Sequence, residues 1–190
     1  MTNFNAGAIA LCPGVHPPDL TQSFVQQLES LGPLPRVLVF PSDRYPAYSS
    51  VEVLRFLHER LTPAQSHAWT TTPIMFIGFS AGVVGAMGAA VALETLGGNV
   101  RALMALDGWG VPVMGRFPTY RLSHDYFTHW SSAWLGAGAD SFYANPEVAH
   151  LDLWRSPQAV RGQWIRPSTP AATSTTALEF LWFWIQHHFT

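Results

Sequence analysis

Four short apolar runs punctuate the first 106 residues: Ala8 to Leu11, Val37 to Phe40, Ile74 to Ile77 and Ala102 to Leu106. Each is bounded by proline, glycine or polar residues. Continuous runs of this length suit strands buried on both faces, as in parallel sheets. Helical patterns lie between them. Asp19 with Gln22 predicts a cap for a helix carrying Phe24, Val25, Leu28 and Leu31 on one face. Ser49 with Glu52 predicts another, with Val53, Leu54, Leu57 and Leu61 behind it. The stretch Val83 to Ala90 is rich in small residues. A helical glycine costs about 1 kcal/mol relative to alanine, so Gly85 and Gly88 predict a helix lying very close to the sheet.

This alternation predicts a doubly wound α/β fold with a mostly parallel sheet of about five or six strands. Beyond Asp107 the pattern loosens. Pro112 to Pro118 reads as loop, and Ser123 to Leu135 as a helix capped by Ser123 and stopped at Gly136. Ser141 to Ala144 reads as the last strand, and Ser168 to Thr176 as a Ser/Thr/Pro/Ala-rich connector. A closing helix of roughly Ala177 to His188 follows, with Phe180, Leu181, Trp184 and Ile185 as its docking residues. Its apolar residues cover more than one face, which raises a homodimer or membrane-surface contact as an expectation. The 190 residues read as one domain.

Composition narrows the chemistry. Only 12% of residues are charged, and all ten basic side chains are arginines. The absence of lysine excludes Schiff-base chemistry and a P-loop lysine. A net charge of −2 without a basic block argues against nucleic acid. The lone Cys12 reads as a small buried residue, and no segment resembles a signal peptide or a transmembrane span, so the expected location is cytoplasmic.

Gly78-Phe79-Ser80-Ala81-Gly82 directly follows the third apolar run and precedes a helical pattern. A serine on a sharp strand-to-helix turn needs slim neighbours two positions away, because the turn is strained. The helix N-terminus then points N–H groups at the charge that develops in acyl transfer. With this motif the chain resembles the α/β-hydrolase superfamily, over most of residues 6–155 and more loosely in the final helix. The resemblance implies a minimal α/β-hydrolase fold, a serine nucleophile and a triad in the chain order Ser, acid, His. It also implies that the first strand here corresponds to the family's third.

Gly14-Val15-His16, after the first strand, resembles the family loop that supplies the second oxyanion N–H. Val15 is the expected donor there beside Ala81, since Pro17 and Pro18 have no N–H. Of the eight histidines, His150 follows the last expected strand, where the family places its base; His124 and His129 are the alternatives, and His67 lies too early. Two aspartates compete to orient it. Asp107 ends the fourth strand, a position resembling the thioesterase branch. Asp125 requires Thr119 to Leu122 to form a strand after a link with no helical pattern, a tight connection for a parallel crossover. It would otherwise suit a helix first turn. Asp107 is favoured, with Asp125 as the alternative acid.

Trp109 and His16 are candidate substrate contacts; Trp130, Trp134 and Trp154 are further pocket candidates, and each of the four tryptophans suits the core better than a pocket. The spacing of His124, Asp125 and His129 fits no single helix face well, and neither a metal nor a cofactor is expected. The expected activity is hydrolysis of an ester or thioester of a small or medium acyl group. An acyltransferase using the same residues and a non-catalytic binding or scaffold protein of this fold are the alternatives.

Overall fold

The computed structural model describes residues 7–62, 68–168 and 171–190. His67 and part of the expected 168–176 connector lie outside the described residues. The first apolar run forms β1 (Ala8–Cys12), and α1 (Pro18–Glu29), β2 (Arg36–Val39), α2 (Ser50–Leu61) and α3 (Ala68–Thr71) follow. Next come β3 (Ile74–Phe79), α4 (Ala81–Thr95), β4 (Val100–Leu106), β5 (Thr119–Ser123) and α5 (Tyr126–Ala133). The chain ends with β6 (Ser141–Ala144), α6 (Asp152–Arg155), β7 (Arg161–Ile165), β8 (Thr173–Thr176) and α7 (Ala177–Phe189).

The strands form a single eight-stranded sheet in the order β2-β1-β3-β4-β5-β6-β7-β8, parallel from β2 through β6 and antiparallel beyond. Five or six strands were expected, so the sheet is larger than its apolar pattern announces. Ser141–Ala144 is not the last strand: β7 and β8 extend the sheet as an antiparallel pair. Their sequences explain the discrepancy. β8 is Thr-Ser-Thr-Thr on an exposed edge, with no apolar residue to betray it, and β7 buries only alternate residues.

Two apolar layers sandwich the sheet. One face packs Ile9, Leu11, Met75 and Ile77 against Phe24 and Leu28 of α1 and Phe180, Leu181 and Ile185 of α7. The other packs Ala10, Phe76 and Leu103 against Val53 and Leu57 of α2 and Ala86, Ala89 and Ala90 of α4. The strands contribute alternate residues to each face, which is why their sequences are apolar throughout.

Several local expectations need correction. Asp19 does not cap α1; Pro17 occupies that position, with Pro18 supplying a preset φ at the first helical position. Ser49 does cap α2, accepting the Glu52 N–H at 3.4 Å, but the Glu52 side chain turns to Arg55 instead of back to the cap. Asp125, not Ser123, caps α5, because Ser123 still belongs to β5. Gly85 and Gly88 do not face the sheet. A Cβ at Gly85 would collide with the Ala47 carbonyl, and one at Gly88 would lie 2.7 Å from Ser50 Cβ, so these glycines seat α4 against the start of α2.

The link between β4 and β5 crosses in parallel without a helix. Left-handed turns at Gly110 and Gly115 fold it back, and the buried Arg121 of β5 anchors it. The guanidinium donates to the carbonyls of Val111 and Gly136, each at 2.7 Å. The charge-assisted bond to Val111 fixes the link directly, and the one to Gly136 ties the segment after α5 to the same guanidinium.

α7 is closed at its start by a capping box in which Thr176 and Glu179 satisfy each other's N–H groups. Phe180, Leu181 and Ile185 are fully buried, and Trp184 stacks on Tyr120 with ring centroids 4.1 Å apart. Most of its aromatic surface is therefore spent on the body of the protein. Among the described residues, no helix is long and apolar enough to cross a membrane.

Candidate active site

β3 ends in a constrained turn. Ser80 adopts φ 52° and ψ −124°, a backbone state that residues with a Cβ rarely occupy. Its N–H bonds the Leu106 carbonyl at 2.9 Å, and Val83 N–H returns to the Ser80 carbonyl at 3.0 Å. The flanking glycines are required by contact. A Cβ at Gly78 would sit 2.8 Å from Val83 Cα, and one at Gly82 would collide with the Cys12 carbonyl. Ala81 opens α4, so its N–H has no intrahelical acceptor.

The loop after β1 runs beside this turn. A Cβ at Gly14 would lie 3.1 Å from Ser80 Cβ, so a larger residue would crowd the serine. Val15 is 84% exposed. Cys12 is fully buried and desolvation pushes its thiol up to about 12, which removes it as a nucleophile. His16 turns away from the serine cavity. Its ring lies 5.7 Å from Phe79 and 6.0 Å from Trp154, and it lines a separate cavity of about 480 Å³ with Pro13, Pro18 and Phe40. That cavity is larger than the one at Ser80 and also carries Ser42, but the Ser42 hydroxyl donates to the Gly14 carbonyl and His16 Nδ1 lies beside the Pro17 carbonyl, so each is engaged with backbone.

Asp107 follows β4 on the neighbouring strand end, with φ 50°, and its N–H bonds the Leu122 carbonyl at 2.8 Å. Only 6% of it is exposed. His150 Nδ1 lies 2.8 Å from Asp107 Oδ2. The His150 ring stacks on Phe79 at 4.8 Å, next in a pile that continues through Trp154 to Phe24. Trp154 is therefore core. Asp125, by contrast, is spent on α5: its Oδ1 accepts the Thr128 N–H at 2.6 Å.

His124, the alternative base, shares the acid with His150. Its Nδ1 is 2.9 Å from the same Asp107 Oδ2, and its backbone N–H donates to Asp107 Oδ1, also at 2.9 Å. Its Nε2 lies 3.3 Å from Asp125 Oδ2. Burial would raise the Asp107 carboxyl, but hydrogen bonds from His124 and His150 outweigh it and hold the group below its ordinary range. The hydrogen bond to Asp107 raises His124 above its ordinary value, with Asp125 and Glu147 adding to it. His129 lies off this cluster, beside Tyr143 at 4.9 Å. Burial, with Arg121 adding, lowers it.

Asp107, His124 and His150 present their nearest donor atoms within 4.8 Å of one another. Both Nδ1 atoms lie against the same carboxylate oxygen, at 2.9 Å for His124 and 2.8 Å for His150.

Ser80, Ala81, Asp107, Trp109, His124 and His150 all line one cavity of about 290 Å³. Trp109 also forms the wall of a second, shallow groove of about 300 Å³ with Trp130 and Trp134. These three tryptophans are not core: they are 66%, 48% and 78% exposed. The expected tryptophan set thus divides into one core residue and three at the rim.

With this geometry in view, comparison with solved structures is decisive for the fold. YbtT, a type II thioesterase from the yersiniabactin NRPS/PKS biosynthetic pathway, superposes with a TM-score of 0.58, covering 98% of this chain and 94% of that one at 15% sequence identity. The chain has the α/β-hydrolase fold. No family model and no curated protein matches it. The ends of β3 and β4 lie side by side in the sheet.

Proposed function

We propose that this protein is a serine hydrolase that cleaves an ester or thioester of a small or medium acyl group through an acyl-enzyme. One observation carries the reading: Ser80, in its strained strand-to-helix turn, shares a cavity with His150, whose Nδ1 is bound to the buried Asp107. In this mechanism Ser80 Oγ attacks the acyl carbon while His150 Nε2 takes its proton. The C=O π bond opens to an oxyanion, for which the N–H groups of Ala81 and Val15 are the proposed donors. Collapse expels the alcohol or thiol, which receives the proton from His150. A water then repeats the sequence on the acyl-serine and frees the acid.

Asp107 supports the reading as the orienting acid, because it holds His150 Nδ1–H and leaves Nε2 for the serine. The exposed wall of Trp109, continuous with Trp130 and Trp134, is suited to an apolar acyl or alcohol group. The thioesterase activity of YbtT favours thioesters among the substrates to try first.

The test is turnover of a short series of p-nitrophenyl esters and acyl N-acetylcysteamine thioesters by the parent protein and by Ser80→Ala. The expected result is turnover by the parent that falls at least about 10³-fold in the variant. Equal turnover by folded Ser80→Ala, or none by the parent on either series, would overturn the reading.

A further inference from the structure

A single carboxylate oxygen that serves two histidines is more than a triad needs. The two imidazoles are not equivalent. His150 uses Nδ1 on Asp107, and among the described residues no group bonds its Nε2. His124 has both nitrogens beside carboxylates: Nδ1 at 2.9 Å from Asp107 and Nε2 at 3.3 Å from Asp125. A neutral imidazole can donate from only one nitrogen, whereas two acidic neighbours favour the doubly protonated cation. The two rings stand edge to face with centroids 5.7 Å apart.

We propose that His124 is a positioning residue of the same site: clamped as a cation between Asp107 and Asp125, it locks the orientation of the acid that holds His150. The inference rests on the hydrolase reading for its significance, but it concerns the charge state of one side chain and can be read without turnover.

The backbone N–H and ring of His124 together hold both oxygens of Asp107, so the carboxylate cannot rotate away from His150. The charged or titratable groups facing the pair are Asp107 at the end of β4, Asp125 at the cap of α5 and Glu147 in the loop before α6. All three carry the sign that holds His124 protonated.

His124→Asn is the informative substitution, since its amide can donate from the position of Nδ1 but carries no charge. The alkaline plateau of p-nitrophenyl ester hydrolysis should then fall less than about tenfold, because a donor to Asp107 is kept. His124→Ala, which loses the donor as well, should lower that plateau further. Asp125→Asn preserves the helix cap and should bring the His124 titration, followed by NMR across about pH 4 to 9, down in an otherwise intact protein. A His124→Asn plateau no higher than that of His124→Ala would overturn the proposal, as would a His124 ring in the parent that loses its proton below the ordinary histidine range. Loss of turnover in His124→Asn with full turnover retained in His150→Asn would also overturn it, by making His124 the base.

Discussion

The two ends of the sheet are built on opposite terms. At the C-terminal ends of β3 and β4, Ser80 and Asp107 both hold positive φ without being glycine, at 52° and 50°. Buried or half-buried polar groups crowd there on one carboxylate. At the far edge, β7, β8 and α7 show none of this strain: the capping box is complete, Phe180 lies between Phe142 and Trp164, and Trp184 covers Tyr120. Strained backbone costs on the order of 1–3 kcal/mol per residue and persists only when its surroundings over-determine it. The antiparallel end is built for stability; the parallel end holds two strained residues beside the proposed site.

The largest effect expected from breaking this contrast is on rate. Asp107→Asn should leave the fold nearly intact but lower kcat by about 10⁴-fold, because the amide holds the wrong His150 tautomer. Asp125→Asn keeps an N-cap side chain, so the alkaline plateau should change by less than about fivefold, as for a partly exposed charge. Comparable losses from both would remove the distinction between the two aspartates.

At the other end the effect should be on stability. Phe180 is fully buried, and Phe180→Ala should cost about 3–5 kcal/mol in urea unfolding while leaving the pH profile of any remaining activity unchanged. A cost below about 1 kcal/mol would mean that α7 is a dispensable attachment.

Much of this division could be read from the chain. The four apolar runs named β1 to β4 because strands buried on both faces need no alternation, and Gly78, Ser80 and Gly82 marked the turn because it leaves no room for a side chain two positions from the serine. The rest was hidden for physical reasons. β8 is polar because it is an exposed edge, so hydrophobicity could not reveal it. The β4–β5 crossover depends on Arg121, whose role appears only once its buried partners do. His124 is adjacent in sequence to Asp125, yet its ring bonds to a carboxylate 17 positions earlier, and no local spacing encodes that.

A smaller effect should appear on relaxing the turn itself. Ser80→Gly removes the Cβ that makes φ 52° costly. It should abolish activity yet unfold about 1 kcal/mol later than Ser80→Ala, after allowing for the greater freedom of glycine in the unfolded chain. Equal stabilities would show that the turn is not strained.

The smallest expected effect lies at α7 again. Burial, with His187 and Arg101 adding, lowers His188 to about 4, and its Nε2 lies 2.8 Å from the Tyr120 hydroxyl. A histidine that stays neutral in the fold but protonates when unfolded lowers stability as pH falls from its ordinary value toward 4. Solvent screening of this half-buried group should limit the loss to about 1 kcal/mol over that range. His188→Gln should flatten the urea-midpoint curve between those limits, and an unchanged slope would remove His188 from the acid response.

The central claim is that Ser80 is the covalent nucleophile, and a fluorophosphonate probe tests it most directly. Labelling of the folded parent protein, followed by peptide mapping by mass spectrometry, should place the adduct on Ser80. The adduct should vanish in Ser80→Ala, whose circular dichroism should match the parent. An adduct on any other residue, or a well-folded parent that takes no label, would contradict the account.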